Sequence, residues 1–217
     1  MLYNRTMLLK NPIPPGCTVY YVRHGQTDWN AQERMIGLTD LPLNDLGRQQ
    51  AAGAGTLLGW LDKKVGELDF VAGPLLRTRQ TAEIVRTTLG LDAAAYRQDE
   101  RLKELDFGKW EGLTWPQIRE TDPANFALRQ ADPWGFAMPG GESYGQVAER
   151  VRDCLASIRR DTVIVSHGGI CRTVLALAAG FAVEQTPMLR VPQNQILILR
   201  DGRFAWVQST TEMGILG

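Results

Sequence analysis

Two histidines occur among the 217 residues, His24 and His167, and both stand in one local setting: an apolar run, then His, then Gly. Tyr20-Tyr21-Val22-Arg23-His24-Gly25 and Val163-Ile164-Val165-Ser166-His167-Gly168-Gly169 each place an imidazole where a strand should end. One such histidine alone would read as an ordinary core residue. Two of two at strand ends point to chemistry, because a following glycine lets backbone amides approach a bound group closely. Arg23 precedes the first histidine directly, and Arg77 stands at the start of a helix-like segment, Gly73-Pro74-Leu75-Leu76-Arg77-Thr78-Arg79-Gln80-Thr81-Ala82. Helix N-termini favour anions and guanidinium forks match phosphate oxygens, so the combination predicts a phosphate pocket. Arg79 reads instead as a solvated helix charge.

These residues need elements to carry them. Residues 17–22 (CTVYYV) read as a buried strand feeding the Arg23-His24-Gly25 loop, and residues 68–72, 163–166, 196–200 and 203–207 look similar. Asn44 can cap a helix reaching about Trp60, with Leu46, Ala54, Leu57, Leu58 and Leu61 on its apolar side. Residues 74–89, 143–158 and 170–179 read as three more helices, the second opened by a Ser143-x-x-Gln146 capping box. Strands alternating with helices predict a single-domain three-layer α/β/α sandwich with a mostly parallel sheet. The Asp201-Gly202 turn between the last two strands predicts a hairpin, hence an antiparallel edge. Residues 1–16 form an expected N-terminal extension and 17–217 the domain. Residues 113–141 break the pattern, being rich in Pro and aromatics with only short helical turns at 117–120 and 124–130. Trp115, Phe126, Trp134 and Phe136 there are candidates for a lid over the carboxyl ends of the strands; a packed surface insertion is the alternative.

Composition narrows the function classes. With 24 Lys+Arg against 24 Asp+Glu the formal charge is zero, and 44% hydrophobic with 22% charged residues describes a globular chain rather than a disordered or fibrous one. No basic run supplies the footprint of a nucleic-acid or membrane-surface binder. No apolar stretch approaches the ~18 residues of a membrane span. Cys17, Cys154 and Cys171 are odd in number and scattered, suggesting neither a disulfide framework nor a zinc site, and a reducing cytoplasm fits them. Asn11, Pro12, Pro14 and Pro15 interrupt the N-terminal segment before a signal-like apolar core accumulates, so no secretory signal is expected.

Four segments in order resemble the histidine phosphatase superfamily, which includes the cofactor-dependent phosphoglycerate mutases and many small phosphatases. Arg23-His24-Gly25-Gln26-Thr27-Asp28-Trp29-Asn30 resembles the family's first signature and is followed by Gly37-Leu38-Thr39-Asp40-Leu41-Pro42-Leu43 and Leu46-Gly47-x-x-Gln50-Ala51. The Arg77 segment, the acidic segment Leu102-Lys103-Glu104-Leu105-Asp106-Phe107-Gly108-Lys109-Trp110-Glu111-Gly112 and Ser166-His167-Gly168-Gly169 are similar to the other three, with Gly73 and Thr78 as mild departures.

The resemblance implies a metal-independent, cofactor-free phosphomonoesterase. His24 would take the phosphoryl group, and Arg23, Arg77 and His167 would surround its oxygens. Thr27, Asn30, Gly37 and Gly168 would complete the phosphate and substrate contacts. Glu104 is the implied proton donor and later base, with Asp106 and Glu111 as rivals, of which Glu111 reads better as a loop tie. Mutases of the family follow the acid with Arg and then Tyr, where this chain has Leu105 and Phe107, and the 113–141 stretch offers only Arg119 and Arg129. Pro42-Leu43-Asn44-Asp45-Leu46-Gly47 and Pro139-Gly140-Gly141-Glu142-Ser143 match the phosphatase branch. A mutase and a non-catalytic phospholigand binder remain the alternatives. The expected partner is a small phosphorylated metabolite, with no nucleic acid and no membrane, and homodimerisation is left open.

Overall fold

The computed structural model describes residues 11–208, so most of the expected N-terminal extension lies outside the described residues. Its described end packs onto the domain. Ile13 is buried in the core, and the Gly16 amide donates to Asp201 Oδ1 at 2.9 Å.

Among the described residues six strands form one sheet: β1 (Thr18–Arg23), β2 (Asp69–Ala72), β3 (Arg97–Gln98), β4 (Thr162–Ser166), β5 (Gln195–Arg200) and β6 (Arg203–Gln208). Their order is β3-β2-β4-β1-β5-β6. The first four in that order are mutually parallel, while β5 runs antiparallel to β1 and to β6. The terminal hairpin is as expected. β3 has no sequence signal, since it is two exposed polar residues held by the edge of β2.

Seven α-helices accompany the sheet in the described residues: α1 (Asp28–Ala31), α2 (Asp45–Leu61), α3 (Leu76–Thr88), α4 (Trp115–Thr121), α5 (Pro123–Ala131), α6 (Tyr144–Ala156) and α7 (Gly168–Ala178). Side chains alternate across the strands with period two. Val19, Tyr21 and Ile164 pack with Val147, Val151 and Val174 of α6 and α7, whereas Tyr20, Val22 and Val163 pack with Leu58, Ala82 and Val85 of α2 and α3. This gives the three layers. The Asn44 cap forms through Oδ1 and the Gly47 amide at 2.9 Å, and the Ser143–Gln146 capping box forms as well.

One expected core position is corrected. Leu46 is 47% exposed, because the buried stripe of α2 runs through Gly47, Ala51, Gly55 and Leu58. Gly47 faces the backbone of Gln26, and Gly25 faces Gly47 so closely that a Cβ on either would overlap main-chain atoms. Helix α2 and the loop after β1 meet glycine to glycine, which leaves Leu46 facing solvent.

Candidate active site

β1 and β4 are neighbours in parallel register, with Arg23 opposite Ser166. The next residue on each strand is therefore a histidine, and the His24 amide donates to the Ser166 carbonyl at 2.8 Å. The two imidazoles meet edge to face with centroids 5.2 Å apart. Both are almost completely buried. His24 Nδ1 lies 2.7 Å from the Gly25 carbonyl oxygen, an acceptor only, so this nitrogen carries the proton and donates. Nε2 is then the nitrogen with the free lone pair. Burial, and then the charges of Arg77 and Arg23, hold the His24 pKa well below its ordinary 6.5. The same causes, together with His24 itself, depress His167. Both rings are neutral in the folded chain near pH 7.

The arginines come from separate elements. Arg23 ends β1 and donates through Nη1 to the Val191 carbonyl at 2.6 Å. Arg77, in the first turn of α3, is wholly buried and donates to the carbonyls of Gly37 at 2.7 Å and Thr39 at 2.9 Å. Arg23 Nε, Arg77 Nε and both ring nitrogens of His167 are buried polar atoms with no hydrogen-bond partner. Leaving such groups unsatisfied costs roughly 1–3 kcal/mol each, so a set of them marks a place built to hold a polar group.

Glu104 stands beside them. Its carboxylate accepts from its neighbour Leu105 N at 2.9 Å and from Gly169 N, in the first turn of α7, at 3.2 Å. Its charge supports the protonated forms of Arg23, Arg77 and Arg172. The rivals are occupied elsewhere. Asp106 caps the turn at Gly108 N, 2.7 Å, and Glu111 binds Leu38 N at 2.7 Å and the Thr39 hydroxyl at 2.6 Å, which makes it the loop tie.

The remaining expected contacts are structural in part. Thr27 caps α1 and forms a capping box with Asn30, whose Oδ1 accepts from Thr27 N at 3.1 Å and from Gln193 Nε2 at 3.3 Å. Gly37 has φ +58° and packs against Glu111, so it supports Arg77 through its carbonyl. Gly168 opens α7 directly beneath Arg23. Arg79, expected in solvent, is half-buried with an unpartnered Nε. Of the lid candidates, Trp134 is buried and stacks on Tyr144 at 5.8 Å, Phe136 stacks on Trp110 at 5.9 Å, and Trp115 meets Phe126 edge to face at 6.2 Å. Their observed contacts are those of a packed insertion.

Sequence reading missed three groups. Arg150 of α6 donates to the carbonyls of Arg101, Lys103 and Glu104 at 2.7–3.1 Å and pairs with Glu142 at 3.0 Å, clamping the acidic segment. Gln193 joins the His24 carbonyl at 3.2 Å to Asn30. Arg172 of α7 lies on the same side of Gly168 as Arg23, its Nη1 3.7 Å and Arg23 Nε 3.5 Å from where a Cβ on that glycine would sit. Nothing local to these residues signals their roles.

A Cβ on Gly169 would collide with Glu104 Oε1, the far end of a flexible side chain. Gly169→Ala should therefore displace the carboxylate while costing little in melting temperature. Steady-state kinetics should show kcat for alkyl phosphates falling by about 10-fold or more, since a misplacement near 1 Å can cost on the order of 10².

The model of the histidine phosphatase superfamily (branch 1) matches residues 19–210. The chain belongs to this superfamily. Glucosyl-3-phosphoglycerate phosphatase of Mycobacterium tuberculosis is 36% identical over 182 residues, covering 77% of this chain and 78% of that protein. An acid phosphatase of the same organism is 37% identical over 162 residues, covering 71% of each. Human 6-phosphofructo-2-kinase/fructose-2,6-bisphosphatase 3 is 30% identical over 184 residues, 84% of this chain and 33% of the relative. The chain thus spans about a third of the length of these bifunctional relatives. The solved structure of the mycobacterial glucosyl-3-phosphoglycerate phosphatase with VO3 superposes with a TM-score of 0.73 at 32% identity, covering 89% of this chain and 98% of that one. This member of the superfamily therefore shares sequence with proteins named as phosphatases over 71–78% of their length and fold with one of them over 98% of its chain. No helix among its described residues is long and apolar enough to cross a membrane.

Proposed function

We propose that the chain is a phosphomonoester hydrolase that acts on a small phosphorylated metabolite through a phosphohistidine on His24, without metal or cofactor. The observation that carries this reading is the state of His24, a neutral imidazole whose Nδ1 proton is held by the Gly25 carbonyl while Nε2 faces a site bordered by Arg23, Arg77 and His167. Nε2 attacks phosphorus, the ester P–O bond breaks, and Glu104, which takes up a proton when the anionic phosphoryl group binds beside it, gives that proton to the departing alkoxide. The Glu104 carboxylate then takes a proton from water, which attacks phosphorus as the P–N bond breaks, releasing phosphate and restoring His24. The unpartnered nitrogens of Arg23, Arg77 and His167 stabilise the charge on the transferring group, which is where phosphoryl transfer needs help.

The phosphatase branch is favoured over the mutase by what fills the two positions that mutases give to Arg and Tyr. Leu105 is fully buried in the core and Phe107 packs against it, so neither presents charge or hydroxyl to a substrate. A pure phosphate binder is disfavoured because it gains nothing from a carboxylate beside the anion. A relative named glucosyl-3-phosphoglycerate phosphatase supports the substrate class. A cytosolic setting is part of the proposal. It is supported by Cys17, Cys154 and Cys171 as buried free thiols, with Cys154 and Cys171 pushed up to about 12 chiefly by burial.

The test is phosphate release from a panel of phosphomonoesters in excess chelator, with the acid limb followed. Because His24 stays neutral well below pH 6.5, kcat/KM corrected for substrate ionisation should hold through pH 6.5 and fall only in more acidic buffer. Stability moves differently. Both histidines have folded pKa values below the unfolded one, so the unfolded chain takes up more protons and melting temperature should begin to drop as pH falls through 6.5. Loss of turnover in chelator, or an acid limb centred at 6.5, would refute the mechanism.

A further inference from the structure

Arg77 is wholly buried, and among the described residues no carboxylate pairs with it directly. A countercharge stands one peptide group away. The guanidinium donates through Nη2 to the Gly37 carbonyl, and the amide of that same peptide, Leu38 N, donates to Glu111 Oε1 at 2.7 Å. Carbonyl and amide point opposite ways in a trans peptide, so the cation lies on one side of it and the anion on the other. Each strengthens the hydrogen bond that the other makes, because a charge at one end of the peptide polarises the opposite end. Thr39 repeats the arrangement. Its carbonyl accepts from Arg77 Nη1, while its amide, at 3.2 Å, and its hydroxyl, at 2.6 Å, donate to Glu111 Oε2.

Both ends of this relay are fixed. Gly37 has φ +58°, and a Cβ there would fall on Glu111 Oε1, so the missing side chain is what admits the carboxylate. Glu111 follows the fully buried Trp110, and Gly112 N donates to the Met35 carbonyl at 2.8 Å, stitching the acidic segment to the loop it serves. At the other end Asp40 Oδ1 accepts from Leu76 N at 2.6 Å, beside Arg77 itself. Burial lowers the Arg77 pKa, and the charges of Glu104, Asp40 and Glu111 oppose it. The guanidinium keeps one buried nitrogen, Nε, without a partner. A side chain this long presents such a donor in a single geometry only when its other donors are held, since its rotamer freedom must otherwise be lost on binding.

We propose that Glu111 is a positioning residue for phosphate binding: acting through the Gly37–Leu38 peptide and Thr39, it holds Arg77 in the orientation that meets the phosphoryl group. This rests on the phosphatase reading and divides the acidic segment between two tasks. Glu104 moves the proton, and Glu111 holds the arginine that receives the anion.

Glu111→Gln tests it. An amide offers one acceptor oxygen where the carboxylate offers two, so Leu38 N or Thr39 N loses its partner and the countercharge goes. The inhibition constant of orthophosphate should rise about 10- to 100-fold, the worth of one or two charge-assisted hydrogen bonds, and kcat/KM should fall by one common factor for p-nitrophenyl phosphate and for glycerol 3-phosphate. Thr39→Val keeps Glu111 and removes only the hydroxyl, and should raise the constant by about 3-fold. The deciding comparison is a double-mutant cycle. In an Arg77→Lys background, where no fork spans the two carbonyls, Glu111→Gln should change phosphate inhibition by less than about 2-fold. An equal loss in both backgrounds overturns the proposal, as does a Glu111→Gln protein that melts lower with phosphate inhibition unchanged, which would leave Glu111 a loop tie alone. A split between alkyl and aryl esters in Glu111→Gln overturns it too, by giving that carboxylate the proton. Should Glu111→Gln fail to fold, unchanged inhibition in Thr39→Val overturns it. If the wild type does not hydrolyse p-nitrophenyl phosphate, the phosphatase reading fails by itself. Calorimetric binding of orthophosphate to the same set of proteins then decides the role of Glu111, and no binding by the wild type overturns that role.

Discussion

His24→Ala is expected to reduce phosphate release by something on the order of 10⁶, the scale of loss when a covalent nucleophile is removed. The reason is structural as well as chemical. The Nδ1 bond to Gly25, the burial and the flanking arginines prepare one nitrogen for attack. His167 lies edge to face at 5.2 Å with both ring nitrogens unpartnered, a geometry suited to holding an oxygen of the transferred group. Alkaline quenching during turnover should therefore trap one phosphoryl group on His24 and none on His167, detected by mass spectrometry of the histidine-bearing peptides. His167→Ala should slow both steps yet still show adduct. Adduct on His167 in the wild type would reverse the assignment.

Glu104→Gln should slow alkyl phosphates by about 10²–10⁴, the usual worth of general-acid help. The carboxylate accepts from Leu105 N through Oε1 and from Gly169 N through Oε2 and sits among Arg23, Arg77 and Arg172, so the amide variant loses the transferable proton and the charge and keeps only one of these two acceptor contacts. An aryl ester with an acidic leaving group needs no such proton and its first step should be far less affected. Water attack on phospho-His24 should remain slow, giving an early burst of phenolate followed by a slow steady state in stopped-flow traces. Equal slowing of alkyl and aryl esters without a burst would reduce Glu104 to a shaping role. Because Asp106 is tied to the Gly108 amide of its own loop and Glu111 to the amides of the distant Leu38–Thr39 loop, their alanine variants should not reproduce this alkyl–aryl split.

The parts of this protein that rest on interactions within a few residues are determined by the sequence itself. Continuous β-branched and aromatic runs mark β1 and β4, which are buried on both faces, and the caps at Asn44 and Ser143 close on amides three residues away. His24 and His167 are each legible as the residue where an apolar strand stops. Tertiary structure decides the rest because it depends on partners far apart in the chain. Only the order β3-β2-β4-β1-β5-β6 puts β1 beside β4 in a register that brings the two histidines into contact. Glu104, Asp106 and Glu111 look alike along the chain. They separate only because Gly169 N, Gly108 N and the Leu38–Thr39 loop reach different carboxylates. Leu46 turns outward for the same reason, since the close approach of α2 to the Gly25 loop favours Gly47, the residue without a side chain. Arg23, Arg172 and Arg129, scattered along the sequence, are brought from β1, α7 and α5 to the Val191, Leu189 and Met188 stretch only by folding.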